Sequence, residues 1–265
     1  MTEERIPFRR SKPPLRIQTT TLWEYPSQHY LAEKPGFHGR RDEQGDKEYE
    51  GATPSWVIWQ LLQRYTRPGD VVVDPMCGGG TTLDVCHDLD REGVGFDLGP
   101  TRPDIKGADA RSIPMPDASA DFVFIDPPYS THIRYTEEQE CIGTLDASGD
   151  DGGDAYYDAM TQVISEIDRI LRNRRYMALY VSDSWRKRKG IKGGGNGVFM
   201  PIGFELFAIM SRFFRPVDII AVARGSRKLG RGNWHKAAEE GNFFMRGFNY
   251  LFIMKKQIDD SRPSG

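Results

Sequence analysis

The stretch VVVDPMCGGGTTLDVCHDLDREGVGFD, residues 71–97, decides the fold. Its three opening valines form a β-branched run typical of a buried parallel strand, and that run ends at Asp74. Glycines follow, then a helical pattern from about Thr81 to Arg91, then a second short strand, 93–96, which ends at Asp97. This order of strand, glycine turn, helix and strand predicts one unit of a parallel α/β sheet.

The same alternation continues in both directions along the chain. A helix is expected to start near Thr53, and later strands are expected to end just before Asp109 and Asp126. The remaining elements expected after Asp126 are helices at 155–171 and 200–213 and strands at 176–181, 217–223 and 248–254. The sequence therefore predicts a doubly wound, mostly parallel, seven-stranded Rossmann-like sheet with helices on both faces. Ligands of such sheets bind at the carboxyl ends of the strands, where these acids lie.

The organisation expected from this pattern is one large unit with short ends. Residues 1–50 carry prolines, charges and aromatics without a sustained period, which predicts an irregular N-terminal arm. Residues 51–258 form the single predicted α/β domain, and 259–265 form a tail.

Composition excludes several classes of protein. Of 265 residues, 38% are hydrophobic and 28% charged, and no run is long and apolar enough to span a membrane. The polar N-terminus lacks the apolar core of a secretory signal, so a cytoplasmic location is expected. Three cysteines without a C-x-x-C pair and five scattered histidines predict neither a disulfide framework nor a metal site.

Charge is segregated along the chain, although the formal net charge is only −2. Basic clusters stand at 9–16, 186–192 and 224–236, whereas 137–154 is strongly acidic. Such runs are often only solvated loops, so they permit a nucleic-acid partner without requiring one.

The acids that follow the strands suggest a particular cofactor. Asp97 is placed to accept hydrogen bonds from two ribose hydroxyls, Asp109 from an adenine amino group, and Asp74 is suited to a cationic ammonium. No G-K-[ST] follows the glycines, so a phosphate-binding P-loop is excluded. Ribose, adenine and an amino group without phosphates describe S-adenosylmethionine.

Two motifs carry a resemblance to a known family. The run D-P-M-C-G-G-G-T-T at 74–82 resembles the D-P-F-x-G-S-G-T cofactor motif of the amino-methylating DNA methyltransferases, and D-P-P-Y at 126–129 matches their catalytic motif. The resemblance covers about 51–130. It departs mildly at Met76 and Gly79, where the family usually has Phe and Ser. It implies the class I methyltransferase fold and S-adenosylmethionine as cofactor. The expected cofactor contacts are Thr53, Asp74, Pro75, Met76, Cys77, Gly78, Gly80, Thr81, Thr82, Asp97, Asp109 and Ala110.

The expected catalytic residues are Asp126, Pro127, Pro128 and Tyr129. An exocyclic amine is a poor nucleophile, because its lone pair is delocalised into the base. If the Asp126 carboxylate and the Pro127 carbonyl each accept one amine N–H, that lone pair is localised and aimed at the cofactor. The ring of Tyr129, rather than its phenol oxygen, is expected to stack on a base flipped out of the duplex. Asp183, by contrast, is expected to cap the segment after its strand.

DNA contacts are expected from two basic segments in the C-terminal half. Each mixes cations suited to phosphates with glycines, and the second adds Asn233 and Trp234, which are able to read or replace a base. Trp234 is equally compatible with a place in the core. The residues expected to bind DNA are Arg186, Lys187, Arg188, Lys189, Arg227, Lys228, Arg231, Asn233 and Trp234.

The favoured function is methyl transfer to N6 of adenine in DNA, because Asp in the first motif position leans toward adenine in this family. The alternatives are transfer to N4 of cytosine, an RNA guanine-N2 or protein-glutamine methyltransferase, and an inactive DNA-binding subunit. The sequence is compatible with a restriction-modification role alongside a cognate endonuclease. It is also compatible with a homodimer.

Overall fold

The computed structural model describes residues 14–33, 41–46, 48–49, 51–129, 141–148, 152–187, 197–223 and 232–257. Its strands are β1 Leu22–Trp23, β2 Ala32–Glu33, β3 Arg41–Asp42, β4 Val71–Asp74, β5 Glu92–Asp97, β6 Ile105–Gly107, β7 Ala120–Ile125, β8 Leu171–Val181, β9 Ser184–Lys187, β10 Gly197–Met200, β11 Arg215–Ala223 and β12 Phe248–Lys255. Its helices are α1 Ser55–Tyr65, α2 Thr81–Asp88, α3 Asp154–Ile170, α4 Ile202–Met210 and α5 Gly232–Glu240, with a 3-10 turn at Ile142–Thr144.

The central sheet has the strand order β1-β11-β12-β8-β7-β4-β5-β6. Strands β4, β5, β6, β7 and β8 run parallel to one another, and β12 runs antiparallel to both β8 and β11. This arrangement confirms the doubly wound, mostly parallel α/β fold expected from the sequence. The chain passes from β4 outward to β5 and β6, then returns to β7 on the other side of β4. The point of reversal opens a crevice between the carboxyl ends of β4 and β7.

The sheet has eight strands rather than the expected seven, because part of the N-terminal arm joins its edge. Leu22 and Trp23 pair in parallel with Ala221 and Val222 of β11, and the Trp23 side chain is buried. A two-residue strand has no period to detect, so the sequence pattern could not predict it.

Each face of the sheet buries its own hydrophobic cluster. One cluster contains the apolar sides of α3 and α4, and the other contains α1 and Trp23. The apolar positions of α3 recur at helical spacing, from Tyr156 through Val163 to Ile170, which explains why this segment is a helix that packs on the sheet. Among the described residues, no helix is long and apolar enough to cross a membrane.

Two elements were not among those expected from the sequence. Strands β9 and β10 form an antiparallel pair, with Trp185 opposite Phe199, on either side of the glycine-rich basic segment. The second basic segment leads into helix α5, where the side chain of Trp234 is 39% exposed and is therefore not a core residue.

Candidate functional site

A cavity lies at the carboxyl ends of β4, β5 and β7. Its empty space, including the part that is open to solvent, is about 840 Å³. Nine of the expected cofactor contacts, which lie between Thr53 and Asp97 in the sequence, line this cavity. Two more, Asp109 and Ala110, follow β6 and also line it. The lining residues are Tyr49, Gly51, Ala52, Thr53, Asp74, Pro75, Met76, Cys77, Gly78, Gly79, Thr81, Thr82, Asp97, Leu98, Ala108, Asp109, Ala110, Asp126, Pro128, Cys141 and Ile142.

The loop of three glycines after β4, 78–80, packs closely against side chains from other parts of the chain. Gly78 has a φ of +50°, and a Cβ at this position would lie 2.7 Å from the ring of Tyr49. Side chains larger than hydrogen are therefore disfavoured both by the left-handed backbone and by the ring. Gly80 does not line the cavity. A Cβ there would lie 2.6 Å from the Arg102 guanidinium, which also forms an ion pair with Asp84 of α2.

Asp74 is a buried carboxylate beneath this loop. Its oxygens accept hydrogen bonds from the Thr82 hydroxyl at 2.5 Å and from the Met76 backbone N–H at 3.1 Å. Burial raises the pKa of Asp74 to about 7, and these two hydrogen bonds offset part of that rise. In the part of the chain that the structure describes, Asp74 has no cationic side chain as an ion-pair partner.

The pKa of Asp74 predicts how stability depends on pH. Because the folded-state pKa of about 7 lies above the ordinary value of 3.8, its contribution to stability is full below about pH 4 and is lost as pH rises through 7. Urea unfolding of the ligand-free chain between pH 5 and 7.5 should show a free energy that falls with pH. The Asp74→Asn variant should lack this part of the decrease, which amounts to at most about 3 kcal/mol over this pH range. Identical slopes in the two proteins would show that Asp74 is ionised throughout.

The two other acids of the predicted cofactor set lie on the same wall. Asp97 accepts backbone N–H groups of Gly78 at 2.9 Å and Gly99 at 3.0 Å, one on each oxygen. The Asp109 carboxylate is paired with the Arg111 guanidinium at 2.6 Å. Burial opposes ionisation of Asp109, but the hydrogen bonds from Arg111 outweigh it and lower the pKa of Asp109.

Asp126 follows β7 and closes the other end of the cavity. Its Oδ2 accepts the Thr53 hydroxyl at 2.6 Å, and its Oδ1 accepts the Tyr129 phenol at 2.9 Å. Thr53, expected among the cofactor contacts, therefore also positions the expected catalytic carboxylate. The phenol of Tyr129 has a positioning role that was not expected from the sequence.

Further contacts hold the D-P-P-Y loop, 126–129. The Tyr156 hydroxyl of α3 donates to the Pro128 carbonyl at 2.8 Å, and the Asn249 amide of β12 donates to the Tyr129 oxygen at 3.3 Å. Pro127 and Tyr129 do not line the cavity. Asp183 accepts the backbone N–H of Gly203 at 3.1 Å and the Tyr250 hydroxyl at 3.1 Å, so it contacts the first turn of α4 rather than the segment directly after its own strand, and it lies off the cavity wall.

Several lining residues were not expected from the sequence. Tyr49 comes from the N-terminal arm, and Cys141 and Ile142 come from the acidic stretch after the motif. The sequence carries no spacing signal for them, because they reach the cavity only through long-range packing. A signal was present for one residue outside the lining: Asn249, which donates to Tyr129, is a polar residue inside the apolar run of β12.

The predicted DNA contacts lie mostly outside the described residues. Arg188, Lys189, Arg227, Lys228 and Arg231 fall there entirely, as do the side chains of Arg186, Lys187 and Asn233. Trp234 alone is described in full, on the exposed side of α5.

Comparison with known proteins gives a family match over the first part of the chain. Residues 5–105 match the N6/N4 methyltransferase family model, described as DNA methylase. The Type II methyltransferase M.Cfr9I of Citrobacter freundii is 38% identical over 76 residues, which are 26% of this chain and 25% of that protein. The chain thus matches about a quarter of the length of this curated relative. The family match ends before Asp126, so it leaves the D-P-P-Y motif untested.

Solved structures show only distant likeness. TrmN from Thermus thermophilus is 15% identical, with a TM-score of 0.49, over 78% of this chain and 50% of that chain. An S-adenosylmethionine-dependent methyltransferase from Methanosarcina mazei is 12% identical, with a TM-score of 0.46, over 75% and 98%. Neither likeness is close enough to support a function. Over residues 5–105, the chain is therefore similar to the N6/N4 DNA methylase family and to part of one curated Type II methyltransferase.

Proposed function

We propose that the chain transfers a methyl group from S-adenosylmethionine to an exocyclic amino nitrogen of a base in DNA, with N6 of adenine as the favoured acceptor. One observation carries the proposal: the glycine loop with Asp74 and the D-P-P-Y loop with Asp126 line the same cavity. Methyl transfer needs a donor and an acceptor held side by side, and a shared cavity provides this proximity.

The residues present fit S-adenosylmethionine. Asp74 is a buried carboxylate that has no cation among the described residues, so an α-ammonium group would supply the missing charge. Asp97 is available for ribose hydroxyls through its remaining lone pairs. Among the described lining residues there is no lysine or arginine, which disfavours a phosphate-bearing cofactor.

The chain's own groups are arranged to activate an amine. When bound, S-adenosylmethionine supplies an electrophilic methyl group on a sulfonium. Thr53 and Tyr129 hold the Asp126 carboxylate from both sides, so this acceptor is preorganised for an amine N–H. Pro127 and Tyr129 adjoin the lining residues Asp126 and Pro128 but lie off the cavity wall. We propose that an entering base reaches both, so that the Pro127 carbonyl accepts the second N–H and the Tyr129 ring stacks on the base. A base in duplex DNA reaches such a site only when it is flipped out of the stack.

The choice of adenine rests on the first motif residue, Asp126, by resemblance to the family. The matched family includes both N6 and N4 enzymes, so cytosine N4 is the alternative acceptor. The proposed setting is the cytoplasm, where DNA would be the substrate. A cognate endonuclease and a homodimer stay open within this proposal.

The substrate class can be tested with a labelled methyl group. The purified chain is incubated with S-adenosylmethionine that carries a tritiated methyl group and with duplex DNA, total RNA or a protein mixture in separate reactions. We expect label in DNA only, and none when Asp126 is replaced by Ala. Label in RNA or protein with none in DNA would overturn the proposal in favour of the RNA guanine-N2 or protein-glutamine alternative.

A further inference from the structure

An exposed aromatic pair lies on the β9–β10 hairpin. Trp185 and Phe199 face each other across the two strands, with ring centroids 5.5 Å apart, and each side chain is 43% exposed. Two large rings that are left so open are unusual away from binding surfaces. We call this pair, together with Arg246, the hairpin platform.

Arg246 places a cation on both rings. Its guanidinium carbon is 4.9 Å from the ring centroid of Phe199 and 5.9 Å from that of Trp185. Within the described residues Arg246 has no carboxylate partner, and its Nη1 donates a long hydrogen bond, 3.4 Å, to the Phe244 carbonyl. Its buried Nε has no acceptor there. The platform therefore combines ring faces with a positive charge that no described acid neutralises.

The hairpin platform lies at the same edge of the sheet as the cavity. Strand β9 begins just after β8 ends, and β8 is the parallel neighbour of β7, which leads into Asp126. Arg246 stands just before β12, whose Asn249 donates to the Tyr129 oxygen at 3.3 Å. A strand that delivers a base to Tyr129 would pass close to this surface.

The sequence of the hairpin supplies the matching charge. Between Trp185 and Phe199 there are five basic residues and no acidic one. A basic run that adjoins both aromatic residues in the sequence is complementary to a polyanion whose bases present flat faces, as in a single strand of nucleic acid.

We propose that the hairpin platform binds the strand of the DNA substrate next to the flipped base, with an unstacked base on Trp185 and Phe199 and a phosphate on Arg246. The inference rests on the proposed function, because it takes DNA as the substrate. It goes beyond that function by naming a surface that selects unstacked nucleic acid.

Equilibrium DNA binding tests the platform separately from catalysis. Fluorescence anisotropy is measured with a labelled single-stranded oligonucleotide of mixed sequence for the wild type and for Trp185→Ala/Phe199→Ala. We expect affinity to fall at least about tenfold, as removal of stacking partners does in other single-strand binders. Arg246→Ala should lower the log–log salt slope by roughly 0.7, the change expected when the protein neutralises one phosphate fewer.

Matched variants separate stacking from general damage. Val217→Ala and Ile219→Ala remove similarly exposed apolar side chains of β11 at the other end of the sheet and should bind the oligonucleotide like the wild type. Trp185→Phe keeps an aromatic ring and should retain most of the affinity for the oligonucleotide. This variant can still be measured if the double variant folds poorly. Calorimetric affinity for S-adenosylmethionine checks that each variant keeps its cavity.

The outcomes are distinct. The double variant counts as folded when it keeps its affinity for the cofactor. If this folded variant binds the oligonucleotide like the wild type, and the wild type methylates DNA, the platform proposal is wrong and the proposed function stands. If the wild type neither binds nor methylates DNA, the proposed function itself fails. If sedimentation shows a wild-type dimer that becomes monomeric in the double variant, the rings pack against a second copy, and the proposal is again wrong.

Discussion

Asp126→Ala should slow methyl transfer by about a hundredfold or more, the loss typical of removing one preorganised group that stabilises a transition state. The Asp126 carboxylate accepts hydrogen bonds from the Thr53 hydroxyl and the Tyr129 phenol, which fix its position at the end of the cavity. Affinity for S-adenosylmethionine should change little, since Asp74 and Asp97 remain. Single-turnover transfer to DNA measures the rate, and calorimetry measures the affinity.

Two variants sharpen this comparison. Asp183→Asn removes a carboxylate charge at the neighbouring strand end, off the cavity wall, and should leave the rate nearly unchanged. Tyr129→Phe keeps the stacking ring but removes the hydrogen bond to Asp126, so an intermediate loss of about tenfold or less is expected. An Asp126→Ala enzyme that works at the wild-type rate would rule out the carboxylate as the group that activates the amine.

Asp97→Ala should weaken S-adenosylmethionine binding by about tenfold to a hundredfold. Each hydrogen bond that a ribose hydroxyl no longer makes costs about 1–3 kcal/mol, and the Gly78 N–H of the glycine loop loses its acceptor at the same time. Titration calorimetry on the purified variant measures this directly.

The control for Asp97 is a carboxylate distant from the cavity. Asp117→Ala removes the same charge from a side chain that is 78% exposed, and should bind the cofactor like the wild type. Asp97→Asn, which still offers one oxygen, should lie between the wild type and Asp97→Ala. Unchanged affinity in Asp97→Ala would remove this residue from the cofactor site.

The succession of strands along the chain and the acids at their carboxyl ends were predictable from the sequence because both depend on local pattern. The valine run of β4 and the apolar run of β7 are each followed by an acid, and parallel strands bring such ends to one edge. Element boundaries were less predictable. Strand β8 begins at Leu171, earlier than its apolar run, because backbone pairing with Ala120 extends it through polar residues.

The remaining features depend on contacts between distant parts of the chain. Tyr49 of the N-terminal arm contacts the glycine loop, and Asn249 of the last strand contacts Tyr129. The residues around Tyr49 and Asn249 in the sequence form no pattern that predicts these contacts. The ring pair of Trp185 and Phe199 arises only when two strands align in a region where the sequence pattern predicted no strand. Local periodicity carries no information on such pairings.

The identity of the methylated atom tests the proposed chemistry most directly. Unmodified DNA is incubated with the purified chain and S-adenosylmethionine that carries a deuterated methyl group, then digested to nucleosides and analysed by mass spectrometry. We predict deuterated N6-methyladenine, with N4-methylcytosine as the alternative within the same chemistry, and neither product with Asp126→Ala. Deuterated methyl found only on a ring carbon, or amino methylation that persists at full yield in Asp126→Ala, would contradict this mechanism.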